Sequence, residues 1–206
     1  MEPTIDHVED VLRHCGGRLT THDADLLYRS AADVQPQNIL EIGCMDGCST
    51  MVLGSLLKQL DKGGRLQCIE PAPKQKWRWN VERLGLQKWV HMHFGMSPWV
   101  SYEKILEACV QPIADKNKPI DYLFIDGDHR TRWAIVDYHY YMPFVRIGGR
   151  IGFHDWWDQK DAGNWVREAV DIIMRDDATL LKMVEETRNK RGYIVFEKIA
   201  DHNRYR

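Results

Sequence analysis

Asn38-Ile39-Leu40-Glu41-Ile42-Gly43-Cys44-Met45-Asp46-Gly47-Cys48-Ser49-Thr50 is the stretch whose reading decides the fold. A short apolar run ends in an acid and two glycines, and an amphipathic pattern (Met51, Val52, Leu53, Leu56, Leu57, Leu60) follows at once. The spacing predicts a strand, a tight turn and a helix, because glycine permits backbone conformations and close approaches that a side chain would forbid. Ser49 and Thr50 stand where a helix N-terminus takes a hydroxyl cap. Such a turn leaves N–H groups facing a ligand, with an acid beside them. A small, nucleotide-like ligand is expected here.

Outward from this turn, strand-like and helix-like stretches alternate. Upstream, residues 5–32 read as helical, with a break at Gly16-Gly17 and a second start at Thr20-Thr21-His22-Asp23. Downstream come a strand from Gly64 to Glu70, a helix over 74–85 and a strand from Val90 to Gly95. A helix over 98–110, a strand from Ile120 to Asp126 and a helix over 130–143 follow, then a strand from Arg150 to Asp155. A helix over 162–176 precedes two closing stretches, 179–185 and 192–198, separated only by a short turn. Five βα repeats and a closing hairpin predict an α/β fold. It is a doubly wound, mostly parallel, seven-stranded Rossmann-like sheet with a C-terminal antiparallel β-hairpin and an N-terminal helical segment. One domain is expected over 1–206, with a helical cover at 1–36, the core at 37–199 and a polar tail at 200–206. Ligands of such sheets bind beyond the carboxyl ends of the strands. Here almost every strand ends in polar chemistry: Glu41 to Gly47, Glu70, Gly95 to Ser97, Asp126 to His129, and His154-Asp155.

The bulk numbers narrow the setting. The 206 residues suffice for one domain with a substantial core. With 28 Lys+Arg against 30 Asp+Glu, no global field favours nucleic acid or an acidic membrane. The five cysteines show no Cys-x-x-Cys pairing, and two lie in the glycine turn, which suits a reducing cytosol. No run is long enough to span a membrane, and the acidic N-terminus does not read as a signal peptide. A cytoplasmic protein is expected, with neither nucleic acid nor membrane as partner.

The spacing Glu41-x-Gly43-x-x-x-Gly47 departs from the Gly-x-Gly-x-x-Gly of dinucleotide enzymes and carries no Lys or Arg to meet a phosphate. A cationic, phosphate-free ligand suits it better. Glu70, ending the second strand about 20–30 residues on, is placed to take a ribose diol through both carboxylate oxygens. With these residues the pattern resembles the class I S-adenosylmethionine-dependent methyltransferases. Ile125-Asp126-Gly127-Asp128-His129 and Phe153-His154-Asp155 make it similar to a narrower group, the metal-dependent small-molecule O-methyltransferases. These are the catechol O-methyltransferase type and the type of macrolide-sugar and cephalosporin biosynthesis. The resemblance covers about residues 36–198 and implies S-adenosylmethionine as cofactor. It places Gly43 against the methionine end and Gly95 to Ser97 near the adenine, with Glu41, Met45, Gly47, Ser49, Glu70, Pro71, Met96, Ser97 and Asp126 as the cofactor-binding set.

The chemistry the resemblance implies is transfer of a methyl group to a hydroxyl of a small ring-bearing molecule. A divalent metal lowers the pKa of a bound hydroxyl and fixes its oxygen in line with the methyl group. By position Asp126, His154 and Asp155 match the ligands of Mg²⁺, Mn²⁺ or another ion. His154 stands where the catechol type has a carboxylate, so it is a softer ligand or itself a base. His129, three residues after Asp126, matches the catalytic lysine of the catechol type, and imidazole titrates near neutrality. Asp126, His129 and His154 are the catalytic candidates. A homo-oligomer is compatible with the resemblance, whose members often assemble through N-terminal helices.

Other residues carry weaker signals. His91-x-His93 puts two imidazoles on one strand face, and reads as a polar sheet edge rather than a metal site. Lys74, Lys76, Arg78, Arg83 and Lys88 interleave with Trp77, Trp79 and Trp89, a solvated basic face over an aromatic contact rather than a nucleic-acid stack. Asp128 reads first as the N-cap of the helix near Arg130, and Asp137 and His139 as structural partners. Trp156-Trp157 either walls the reaction centre or packs under the next helix. The rival functions are a metal-independent O- or N-methyltransferase with a histidine base, a nicotinamide-dependent oxidoreductase, and a non-catalytic nucleoside-binding protein.

Overall fold

The structure, a computed structural model, describes residue 12 and residues 19–97, 99, 119–157 and 165–201. The helix expected over 98–110, most of the first half of the N-terminal cover and the tail beyond 201 lie outside the described residues. Seven strands form one sheet: β1 (Asn38–Ile42), β2 (Arg65–Glu70), β3 (Val90–Phe94), β4 (Ile120–Ile125), β5 (Val145–His154), β6 (Leu181–Thr187) and β7 (Tyr193–Lys198). Their order is β3-β2-β1-β4-β5-β7-β6, and β7 alone runs opposite to the other six. This is the Rossmann-like architecture expected from the alternation of strands and helices.

Burial follows position in the sheet. β1 lies inside the sheet, between β2 and β4, and every one of its residues is buried, which explains its apolar run; each of Ile39, Leu40 and Ile42 contributes roughly 1.5–3 kcal/mol by leaving water. β3, at the edge, is only half covered and so can carry His91 and His93. His93 pairs with Gln67 Oε1 at 2.7 Å, and burial lowers the pKa of both histidines. β5 starts five residues before the expected Arg150. Gly148 takes a φ of 78° and the register against β4 slips between Ile120 and Tyr122, so the glycine pair forms a bulge within the strand.

Helices α1 (Thr21–Asp33), α2 (Cys48–Leu60) and α3 (Gln75–Arg83) supply the apolar layer on one side of the sheet, around Leu27, Met51, Leu53 and Trp77. Helices α4 (Thr131–Tyr141) and α5 (Trp165–Asp176) cover the other, around Tyr138, Val170 and Ile173. α1 starts at the expected Thr20, whose Oγ1 accepts from the Asp23 N–H at 3.1 Å. It is fixed to the sheet by a hydroxyl chain, Ser30 to Tyr122 at 2.6 Å and Tyr122 to Tyr193 at 2.5 Å.

The glycine turn behaves in part as expected. Gly47 caps α2 with a φ of 88°, a left-handed conformation that glycine adopts without penalty. Ser49 and Thr50 do not cap the helix. They sit inside its first turn and donate to the two carboxylate oxygens of buried Glu41. No helix among the described residues is long and apolar enough to cross a membrane.

Candidate functional site

A cavity of about 610 Å³ opens at the carboxyl ends of β1, β2, β4 and β5, where the topology gathers the polar strand ends. Its lining includes Gly43, Met45, Ser49, Glu70 and Pro71 from the glycine turn and β2, Asp126, His129, His154 and Asp155 from the ends of β4 and β5, and Met96 and Ser97. Glu41 and Gly47 do not line it. Strand alternation turns Glu41 sideways into the α2 layer, where it also accepts from Cys68 Sγ at 3.1 Å. Burial raises its pKa to about 7 against these hydrogen bonds. A Cβ on Gly47 would lie 2.9 Å from the Trp77 ring, so that glycine serves packing.

Glu70 points at the glycine turn. Its carboxylate accepts from the Met45 N–H and from the Ala72 N–H, each at 3.1 Å, and each oxygen keeps a further lone pair for a ligand. Gly43 brings this turn against the other half of the site: a Cβ there would stand 2.1 Å from the Asp126 carbonyl oxygen. The Asp126 N–H in turn donates to Ile42 O at 2.8 Å.

The second half is an acid–imidazole cluster. His154, only 2% exposed, presents Nδ1 to Asp126 Oδ1 at 3.2 Å and to Asp155 Oδ1 at 3.7 Å. His129 Nε2 lies 3.3 Å from Asp126 Oδ1 and 3.3 Å from Asp155 Oδ2. Arg191 Nη1 approaches Asp155 from the β6–β7 turn at 3.4 Å. Asp155 adopts a φ of 56°, a strained conformation for a residue with a side chain, and its carboxylate thereby faces the cavity. Burial alone would lower the His154 pKa, but the carboxylates of Asp126, Asp155 and Asp23 prevail and raise it to about 9. Burial likewise opposes ionisation of Asp126, yet the two imidazoles hold it below the usual carboxylate range. The hydrogen bond to Asp126 raises His129.

Asp126, His154 and Asp155 each offer one ligand atom, and these atoms all lie within 4.8 Å of one another. Two carboxylates and one imidazole suit a divalent ion of intermediate softness, so the donor set fits the expected metal. His91 and His93 belong to no such set among the described residues.

The structure decides between the two readings of Trp156-Trp157 and adds residues that the sequence did not mark. Trp156 is 5% exposed, donates from Nε1 to Thr187 O at 3.0 Å and belongs to the core. Trp157 is held between the guanidinium groups of Arg167 and Arg188, 4.4 and 4.7 Å from its ring. Neither lines the cavity; Trp133 does. Asp128 does not cap α4 but braces the preceding turn, accepting from the Arg130 N–H at 3.1 Å. Asp137, read as structural, faces the cavity, accepts from Ser97 Oγ at 2.5 Å, and is raised by burial to about 6. The signal was available: Asp137 shares the stripe of Ala134, Tyr138 and Tyr141, where an apolar residue belongs. Arg191 had no local signal.

Known proteins resemble this chain across its length. The O-methyltransferase from Bacillus cereus in complex with SAH superposes with a TM-score of 0.67 at 22% identity, covering 96% of this chain and 93% of that one. Cofactor-bound Rv0187 from MTB gives 0.70 at 19% identity, with 94% and 89% covered. The O-methyltransferase TomG from Streptomyces achromogenes, in complex with SAM, gives 0.68 at 16% identity, with 97% and 91% covered. An uncharacterized protein, R132, of Acanthamoeba polyphaga mimivirus is 30% identical over 138 residues, 66% of this chain and 59% of that protein. The chain thus matches about three fifths of that relative's length. Residues 40–156, more than half of the chain and including both motifs, match the family model described as a methyltransferase domain. The chain belongs to the methyltransferase-domain family.

Proposed function

We propose that this protein transfers a methyl group from S-adenosylmethionine to a hydroxyl oxygen of a small ring-bearing molecule, with a divalent cation assisting. The observation that carries the reading is a cavity lined both by Glu70 and the glycine turn and by Asp126, His129, His154 and Asp155. The Bacillus cereus and Streptomyces structures, solved with SAH and SAM, support the choice of cofactor.

Glu70 takes the ribose hydroxyls, Gly43 leaves room for the methionine end, and Ser97 and Met96 border the adenine. Asp126, His154 and Asp155 hold the cation, which supplies a lowered hydroxyl pKa and a fixed oxygen position when bound. His129 receives the acceptor's proton. The oxygen attacks the methyl carbon from the side opposite sulfur; the O–C bond forms as the S–C bond breaks, and its electron pair stays on sulfur. Trp133 offers the acceptor's ring an apolar face.

A metal-independent variant draws on the direct His154–Asp126 contact at 3.2 Å, in which an imidazole already neutralises the carboxylate. The methyltransferase family match favours either variant over hydride transfer. The test is calorimetry with S-adenosylhomocysteine beside NAD(H), then mass-spectrometric detection of methyl gain over a panel of phenols, catechols and sugars, with and without EDTA. Binding of S-adenosylhomocysteine alone and methyl gain abolished by EDTA are expected. Turnover surviving EDTA selects the metal-independent variant, and binding of NAD(H) alone refutes both.

A further inference from the structure

We infer that Asp137, on α4, reads the exocyclic amine of the cofactor's adenine and so decides which base this pocket accepts. The inference rests on reading the cavity as the S-adenosylmethionine site with the ribose on Glu70. Three observations carry it. Asp137 lines the cavity although only 3% of it is exposed. Its Oδ1 accepts from Ser97 Oγ at 2.5 Å, whereas Oδ2 has no hydrogen-bond partner among the described residues. β3 runs into Gly95-Met96-Ser97 without an acid, while β2, β4 and β5 each lead into one.

The ribose fixes where the base goes. In a nucleoside the carbons bearing the base and the 5′ group flank the ring oxygen, across the ring from the diol. With the diol on Glu70, at the end of β2, these two arms diverge along the sheet. The 5′ arm carries the sulfonium across β1 toward Asp126 and Asp155, so the base arm points the other way, to β3. Ser97 stands there, and its hydrogen bond brings the α4 acid to the same place. Asp137 Oδ2 lies beside Gly127, another lining residue, 3.3 Å from where a Cβ would stand. Ser97 is thus a positioning residue that fixes the turn of the carboxylate.

Adenine offers an amine with two N–H donors on its outer edge. An ionised carboxylate is an acceptor only, with about four lone-pair sites, of which Ser97 fills one. Burial raises the Asp137 pKa to about 6 against that hydrogen bond, so at pH 8 the group is ionised. A buried charge with acceptor sites to spare is costly unless donors meet it. An asparagine would tie Ser97 to α4 equally well without the charge. What the carboxylate adds is affinity for N–H groups and rejection of a base that lacks them.

The test compares two ligands, S-adenosylhomocysteine and its 6-deamino analogue, in which purine replaces adenine. Calorimetry at pH 8 gives the ratio of their affinities. The wild type is expected to favour the adenine ligand by about 10–100-fold, the worth of a hydrogen bond to a charged group. A wild type that binds both within about threefold overturns the inference without recourse to a variant. In Asp137→Asn the ratio is expected to fall to near unity, because the adenine ligand loses affinity and its analogue does not. The same collapse is expected in Asp137→Ser, so that failure of one variant to fold leaves the other. A merely structural Asp137 would weaken both ligands alike, and an unchanged ratio in a folded variant overturns the inference while leaving the cofactor reading intact. A wild type that binds neither ligand refutes the cofactor reading and this inference with it.

Discussion

Replacing Glu41 with glutamine tests whether the acid of the glycine turn braces the fold instead of meeting the ligand. Glu41 is fully buried, and burial raises its pKa from 4.5 to about 7 in spite of hydrogen bonds from Ser49, Thr50 and Cys68. Below pH 4.5 the group is protonated in the folded and the unfolded chain and has no influence on pH dependence. Between 4.5 and about 7 the unfolded chain releases a proton that the folded chain keeps. Stability therefore falls as pH rises, by about 1.4 kcal/mol per unit, and the slope ends where the folded group ionises too. Across the whole window the loss is about 3 kcal/mol. Glutamine fills the same volume and cannot ionise. Urea unfolding followed by tryptophan fluorescence, at steps from pH 4.5 to 8, gives the stability of both proteins. The variant should gain on the wild type by about 3 kcal/mol over that range, all other titrating groups cancelling in the difference. A difference constant to within about 1 kcal/mol would show that Glu41 ionises freely in the fold, and the account of its burial would be wrong.

Gly43→Ala forces a methyl group to within 2.1 Å of the Asp126 carbonyl oxygen at a φ of 80°. Calorimetry should show a destabilisation above about 3 kcal/mol and no S-adenosylhomocysteine binding; a stable, ligand-binding variant contradicts the close approach. His129→Ala should lower kcat by about 10²–10⁴-fold and leave S-adenosylhomocysteine affinity unchanged, measured by steady-state kinetics and calorimetry. An undiminished kcat removes His129 as the base. Trp156→Ala should cost about 3–5 kcal/mol in urea unfolding, as loss of a core ring does, with the acceptor KM unchanged in the protein that remains folded. A raised KM at unchanged stability would put that ring back beside the acceptor.

The sheet was legible because alternating apolar runs and acidic strand ends reflect purely local rules. A central strand is buried throughout, as β1 is, and so is rich in apolar residues, and a ligand-facing residue sits where a strand stops, as Glu70 and Asp126 do. The errors came from direction rather than position. Glu41 lies at a strand end, yet alternation aims it at α2, and the hydroxyls of Ser49 and Thr50 that looked like caps are the donors that satisfy it. Trp156, which follows Asp155 directly, admitted two readings, and the left-handed backbone at Asp155 settles it by turning the side chain into the core. Asp23 and Arg191 were illegible for another reason. Asp23 is 164 residues from its partner Thr187, and Arg191 is 36 from Asp155, distances at which sequence pattern carries no pairing information.

The reversed strand β7 has a consequence for when the protein becomes competent. It lies between β5 and β6, so the turn that joins β6 to β7 returns to the tip of β5 and brings Asn189 onto Asp23 and Arg191 onto Asp155. A ribosome that has released residues up to 180 has delivered every acid and imidazole of the cluster, but not the amide and guanidinium that hold two of its members in place. Maturation of the acidic centre is thereby tied to the last segment of the sheet to be made.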